Sequence, residues 1–262
     1  MALVKVPLPT HMSMNLSIAS HKRTNSICIC MAKSSEVKLI GKWSSPYTMR
    51  VKIALNIKSL EYEHFEETMN PKSELLLHSN PVYARVPVLI HHDKPICESL
   101  VIVEYIDETW STAPSILPSH PYDRALARFW ATYIDDKWFP TIRSILFVEE
   151  EEERKAYFEV LEEVLERLED AFEKCSKGKP FFGGDMIGFL DIAFGCFLGV
   201  LSAAEHRCER KLLTEAKAPA LVKWAERFAA DPSVKGLIPE TDKLVELSKS
   251  LQIKWRASIG KK

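Results

Sequence analysis

The sequence predicts two unlike halves in one chain, a small α/β domain followed by an all-helical one. Three observations predict it. Residues 37–110 alternate between short apolar runs and helical spacing in the order β-α-β-α-β-β-α. The stretch Ser111-Thr-Ala-Pro-Ser-Ile-Leu-Pro-Ser-His-Pro121 then sets three prolines in one polar segment, which stops helix and strand alike. Beyond it apolar positions recur at helical spacing almost throughout, as in the stripe Leu161, Val164, Leu165, Leu168 and Phe172.

The first strand is Val37–Gly41, an alternating apolar run. A helix over 47–58 follows, with Met49, Ile53 and Ile57 on one face and Pro46 fixing the backbone at its start. Next come a weaker strand around Tyr62 and a short helix from Lys72 to Ser79. Strand Val88–His91, a turn at His92-Asp93-Lys94, strand Pro95–Cys97 and a helix from Ser99 to Trp110 complete the first half. This gives an α/β domain over 36–112, a linker over 113–121 and a helical domain over 122–255. In the helical half Glu149 to Glu153 reads as a solvated acidic segment, and Gly188 with Asp191 three residues on opens a buried helix. The run Ile187 to Ala204 is membrane-like in composition, but Asp191 lies inside it and Glu205, His206 and Arg207 follow, which fits a core helix.

Residues 1–35 carry Lys5, Lys22, Arg23 and Lys33, several serines and no acidic residue, and are expected to form a disordered basic extension. The composition permits an organelle transit peptide. An upstream extension without a targeting role is preferred, since Met31 offers a second start, and the protein is expected in the cytosol. Lys and Arg (35) balance Asp and Glu (36), so no global charge recruits nucleic acid or an anionic membrane, and neither is expected as a partner. The six cysteines form no CxxC pair and read as reduced intracellular thiols.

Chemistry concentrates at Trp43-Ser-Ser-Pro-Tyr-Thr-Met-Arg50, where two serines sit between strand and helix. Taken alone, Ser44 and Ser45 are turn and N-cap residues. His91-His92-Asp93 resembles a metal motif, but neighbours in a hairpin are expected to point apart and no other ligand cluster joins them, so no metal is expected. Cys97 reads as a small buried hydrophobe, and Trp130, Tyr133 and Ile134 as core.

Five segments in order carry a resemblance: W-S-S-P-Y-T-M-R-V-K-I-A-L (43–55), N-P-K-S-E-L-L-L (70–77), N-P-V-Y-A-R-V-P-V-L (80–89), K-P-I-C-E-S-L-V-I-V-E-Y-I (94–106) and D-R-A-L-A-R-F-W (123–130). With these the chain resembles the cytosolic glutathione transferases, and more narrowly the plant tau class, over about Glu36 to Leu251. The resemblance implies a thioredoxin-like domain that binds glutathione as co-substrate, a helical domain that shapes the electrophile pocket, and a homodimer.

The family's catalytic hydroxyl directly precedes the proline, which points to Ser45 as the donor that stabilises the glutathione thiolate. The resemblance also implies that Glu98 meets the γ-glutamyl ammonium and Ser99 its carboxylate, that Lys72 and Arg85 bind the glycyl carboxylate, and that Val86, before a cis Pro87, pairs with the cysteinyl unit. Arg85 stands where the family commonly has Lys, which keeps the charge but changes its geometry. For the electrophile pocket Tyr47, Phe139 and Arg143 are chosen, the last two at i and i+4 beyond Trp138, with Pro140 bending their helix. The expected function is conjugation of glutathione to hydrophobic electrophiles. Two alternatives stay open: a non-catalytic carrier of apolar molecules, and a glutathione-dependent peroxidase or thiol-exchange enzyme, whose disulfide chemistry usually needs cysteine where this chain has Ser45.

Overall fold

Alternation in the first strand, β1 (Val37–Gly41), sends Val37 and Leu39 to one face of a sheet and Ile40 to the other. The computed structural model of the protein describes residues 36–259 apart from 69 and 113, with side chains up to 253; the basic extension expected over 1–35 lies outside the described residues. Helix α1 (Pro46–Ile57) returns the chain to β2 (Glu63–Glu66), which pairs parallel with β1. After α2 (Glu74–Ser79) the hairpin β3 (Val88–His91) and β4 (Lys94–Cys97) adds two antiparallel strands, giving the order β2-β1-β3-β4. Helix α3 (Ser99–Thr109) shares the Val37 and Leu39 face with α1, while Leu76 of α2 covers Ile40, Val88 and Ile90 on the other.

Two boundaries differ from the sequence reading. The second strand starts after Tyr62, and the short helix starts after Ser73, whose hydroxyl accepts the Leu76 amide (3.1 Å), so Lys72 lies in the preceding loop. The hairpin differs more. His92 and Asp93 both take left-handed φ (47° and 60°), and the His91 and His92 rings stack at 4.2 Å instead of pointing apart. The ground for setting those histidines aside therefore fails.

Helices follow from Pro121: α4 (Pro121–Tyr133), a π turn (Ile134–Trp138), α5 (Phe139–Phe147), α6 (Glu151–Ser176), α7 (Phe189–Gly195), α8 (Leu198–Cys208), α9 (Pro219–Ala230) and α10 (Thr241–Ile259). Pro140 stands in the first turn of α5, directly after the π turn. Ile134 is fully buried as expected, whereas Trp130 and Tyr133 are only half-buried. The apolar stretch Phe189–Cys208 has the length and composition to cross a membrane but is 78% buried inside the molecule, as two helices broken at Cys196 and Phe197. Asp191 caps α7 as expected, taking the Gly188 amide at 2.9 Å, and also accepts from Phe182, Gly183 and the Trp224 indole.

The proline-rich connection is a strap rather than a loose spacer. Asp107 accepts the amides of Ile116 and Leu117 (2.8 and 2.9 Å), Lys58 donates to the Pro114 carbonyl (2.9 Å), and the Ile116 carbonyl takes the Phe189 amide (2.9 Å). One apolar core consequently runs from β1 through Ile116 to Val245.

Candidate active site

Strand register gathers the expected glutathione residues. Ile40 faces Val88 and Val88 faces Cys97, while Gly41 is level with Glu66. Ser45 after β1, Val86 and Pro87 before β3, Glu98 and Ser99 after β4, and the loop with Lys72 after β2 thus leave the sheet at one end. The Val86–Pro87 bond is cis. Ser45 is the N-cap of α1, and its Oγ accepts the Thr48 amide at 3.2 Å. Glu98 holds φ 71° at the corner between β4 and α3, a conformation costing roughly 1–3 kcal/mol that persists where surroundings impose it, often at ligand sites. Arg85 is exposed and leans on the Tyr83 ring (5.9 Å), while Lys72 is half-buried. Behind Lys72, the Glu67 carboxylate receives the Ser73 amide at 3.0 Å and its hydroxyl at 2.5 Å, which holds the loop to the sheet.

Under this edge lies Arg50, with no exposed surface. Its five N–H donors find five acceptors: Asp135 twice (3.0 and 2.6 Å), the Ala193 carbonyl (2.7 Å), Ser99 Oγ (3.3 Å) and Cys196 Sγ (3.2 Å). A guanidinium is tolerated in a core only on such terms. Burial works against its charge, but Cys196 and Asp135 more than offset this and raise its pKa. Burial pushes the Cys196 thiol up to about 11, against the pull of Arg50.

Above the guanidinium sit three rings. Tyr47 meets Phe139 and Phe197 edge-on, each at 5.7 Å, and Phe139 stacks on Phe197 at 4.5 Å. Arg50 lies 5.1 Å from the Tyr47 ring and 5.0 Å from that of Phe197. Burial, and after it the charge of Asp135, push the Tyr47 phenol up to about 12, so it stays protonated. Arg143 is exposed one turn beyond Phe139, and its charge reaches Tyr47.

Sequence comparison now decides the family. Residues 35–108 match the glutathione S-transferase N-terminal domain and residues 129–232 the C-terminal domain. A relative named glutathione S-transferase U18 from Arabidopsis thaliana is 58% identical over 225 residues, 86% of this chain and 99% of its own. The solved tau class transferase of mango, Mangifera indica, is 60% identical with a TM-score of 0.79, covering 82% of this chain and 98% of its own. Rice GST1, solved in complex with glutathione, is 34% identical with a TM-score of 0.76, covering 84% and 99%. The chain belongs to the tau class of the glutathione S-transferase family.

It is accordingly an enzyme, a glutathione transferase with a thioredoxin-like domain and an all-helical domain. Sequence reasoning missed three residues that the structure brings against this candidate site. Arg50 stood in the quoted motif without a role, although a charge beside Met49 and in phase with Ile53 on an apolar face was its signal. Asp135, 85 positions away, gave only an acidic pair amid aromatic residues. Phe197 was hidden in an apolar run and had no distinguishing signal. Cys97 is half-buried and donates to the Ser79 carbonyl (3.6 Å), and burial raises its pKa, in keeping with a packing role.

Proposed function

We propose that this transferase binds reduced glutathione across the shared strand ends and joins its sulfur to hydrophobic electrophiles held against Tyr47 and Phe139, which the buried Phe197 backs, with Arg143 at the rim. One observation carries this reading. The Ser45 oxygen already accepts the Thr48 amide, so its own proton is left to donate elsewhere, at the positive end of α1. Donation to sulfur favours thiolate over thiol. A free thiol of pKa about 8.5 is only a few per cent ionised at neutral pH, and lowering it by about two units, roughly 2.7 kcal/mol, makes thiolate the majority form. The thiol proton passes to water, the sulfur pair forms the new C–S bond, and a leaving group such as halide departs with its electron pair.

Ligand anchoring completes the reading. Glu98 takes the γ-glutamyl ammonium, Ser99 its carboxylate, the Val86 backbone the cysteinyl unit, and Lys72 with Arg85 the glycyl carboxylate. Exposed Val101 and Phe129 flank the Glu104–Arg128 ion pair (2.6 Å) between α3 and α4, an apolar patch with a charged centre that suits a homodimer. With residues 1–35 taken as an extension without a targeting role, the enzyme is assigned to the cytosol.

Ultraviolet titration of the glutathione complex tests the central role. Ser45→Ala should keep glutathione binding but raise the bound thiol pKa towards about 8.5, moving the pH–rate profile alkaline. It also removes an N-cap, at about 1 kcal/mol of stability. Ser44→Ala should leave the thiolate alone. Equal thiolate pKa values in wild type and Ser45→Ala would remove Ser45 from the mechanism.

A further inference from the structure

At the other end of the sheet Val37 faces His91 and His91 faces Lys94. The tight turn after β3 puts His92 and Asp93 at left-handed φ, which a two-residue hairpin turn demands and which histidine and aspartate adopt more readily than most residues. Its effect is to fold the His92 ring back over His91, with centroids 4.2 Å apart and planes at 29°. The His92 amide reaches the Glu36 carbonyl (3.3 Å), which extends the β1–β3 ladder by one bond and sets Glu36 beside the turn. His92 Nε2 then lies 3.8 Å from Glu36 Oε2, and donor atoms of Glu36, His91 and His92 all fall within 4.8 Å of one another. Behind them the Tyr105 hydroxyl holds His91 Nδ1 at 2.8 Å and Trp110 packs against the ring at 4.8 Å, so the His91 imidazole is fixed and Nε2 is the nitrogen left for a ligand.

We infer that Glu36, His91 and His92 form a binding site for a divalent transition-metal ion, at the end of the sheet remote from Ser45. Two imidazoles and one carboxylate suit Zn²⁺, Ni²⁺ or Cu²⁺, whereas Mg²⁺ and Ca²⁺ prefer all-oxygen shells. Bonds of about 2.0–2.1 Å at tetrahedral angles need donors about 3.3 Å apart. The observed spacing is wider by about 0.5–1.5 Å, and the exposed side chains of His92 and Glu36 (62% and 75%) are free to close it. Tyr105 supplies the outer hydrogen bond that orients a ligating histidine and sets its tautomer. Three protein ligands leave a fourth position for water.

Isothermal titration of the full-length protein with Zn²⁺ tests this, beside His92→Asn, which tolerates left-handed φ, and Glu36→Gln, which keeps shape. One saturable equivalent is expected in wild type. Loss of an outer-shell partner alone costs about 10–100-fold, so each ligand variant should weaken Zn²⁺ binding at least about tenfold. Glutathione conjugation should stay unchanged in both variants, which also shows that they fold. Ni²⁺ should quench tryptophan fluorescence in wild type, with that component lost in Trp110→Phe, and a thousandfold excess of Mg²⁺ should not displace Zn²⁺. Undiminished Zn²⁺ affinity in His92→Asn, the absence of a saturable equivalent in wild type, or displacement by Mg²⁺ would each overturn the assignment.

Discussion

Arg50 on α1 and Asp191 on α7 are both completely buried charges, and they are accommodated in opposite ways. Arg50 faces a formal counter-charge, the Asp135 carboxylate, at 2.6 Å. Asp191 is held by dipoles, the amides of Phe182, Gly183 and Gly188 and the Trp224 indole, at 2.7–2.9 Å. The difference follows position. Asp191 pins a fixed junction of α6, α7 and α9 deep in the helical half. Arg50 lies under the loops proposed to bind glutathione and touches Ser99, so it joins that edge to the helices through one pair whose carboxylate is 29% exposed.

The largest expected effect separates them by stability. Asp191→Ala strips one acceptor from three amides and an indole in a dry site and should cost about 3–5 kcal/mol in urea unfolding. The glutathione KM of the folded protein should be unchanged. A loss below about 1 kcal/mol would break the claim that four dipoles stand in for a counter-ion. Arg50→Met should cost less, about 2–3 kcal/mol, because water reaches the abandoned Asp135. Unlike Asp191→Ala it should raise the glutathione KM about tenfold, roughly 1.4 kcal/mol of lost binding at Ser99. Adding Asp135→Asn should recover stability but not KM, and a KM restored in the double variant would show that Arg50 acts only on the fold.

The smallest effect is in pH. Burial, working against its four donors, pushes Asp191 from 3.8 up to about 6. Between those values the native state keeps a proton that the unfolded chain releases. Its contribution to stability is therefore full below pH 3.8 and lost as pH rises through 6. The stability gap between wild type and Asp191→Asn should be about 1 kcal/mol larger at pH 5 than at pH 7. A gap that widens towards pH 7 would mean that the four donors outweigh burial.

Much of this was legible in the sequence because the strands that carry the site obey simple periods. Val37–Gly41 and Val88–His91 announce themselves, and once they pair, register alone brings Ser45, Val86 and Glu98 to one edge. The role proposed for Ser45 rests on the family resemblance, since in sequence an N-cap serine and a catalytic one look alike. Glu63–Glu66 was misplaced because an edge strand with both ends exposed shows no apolar alternation. The strap was taken for a linker because prolines dominate its composition, though the adjacent Ile116 and Leu117 marked a buried hold. The stacked histidines were out of reach, because their geometry depends on left-handed φ at His92 and Asp93, which no residue in the turn demands from sequence as glycine would. Arg50 and Asp135 meet across 85 positions through a π turn that has no period to read.

In the proposed electrophile pocket that π turn ties substrate choice to chain length. A π turn fits one residue more into its arc than an α-helix does, so Ile134–Trp138 behaves as a single-residue insertion carried inside an otherwise continuous rod. Everything downstream is out of phase with α4 by about 100°. Removing one codon within 136–138 would let the rod run straight and turn Phe139 and Arg143 off the Tyr47 side. Restoring one codon after Phe139 would return Arg143 but not Phe139. A single codon in this short interval is thus expected to change which electrophiles the proposed pocket accepts, with the strand ends that carry Ser45, Val86 and Glu98 unchanged in sequence.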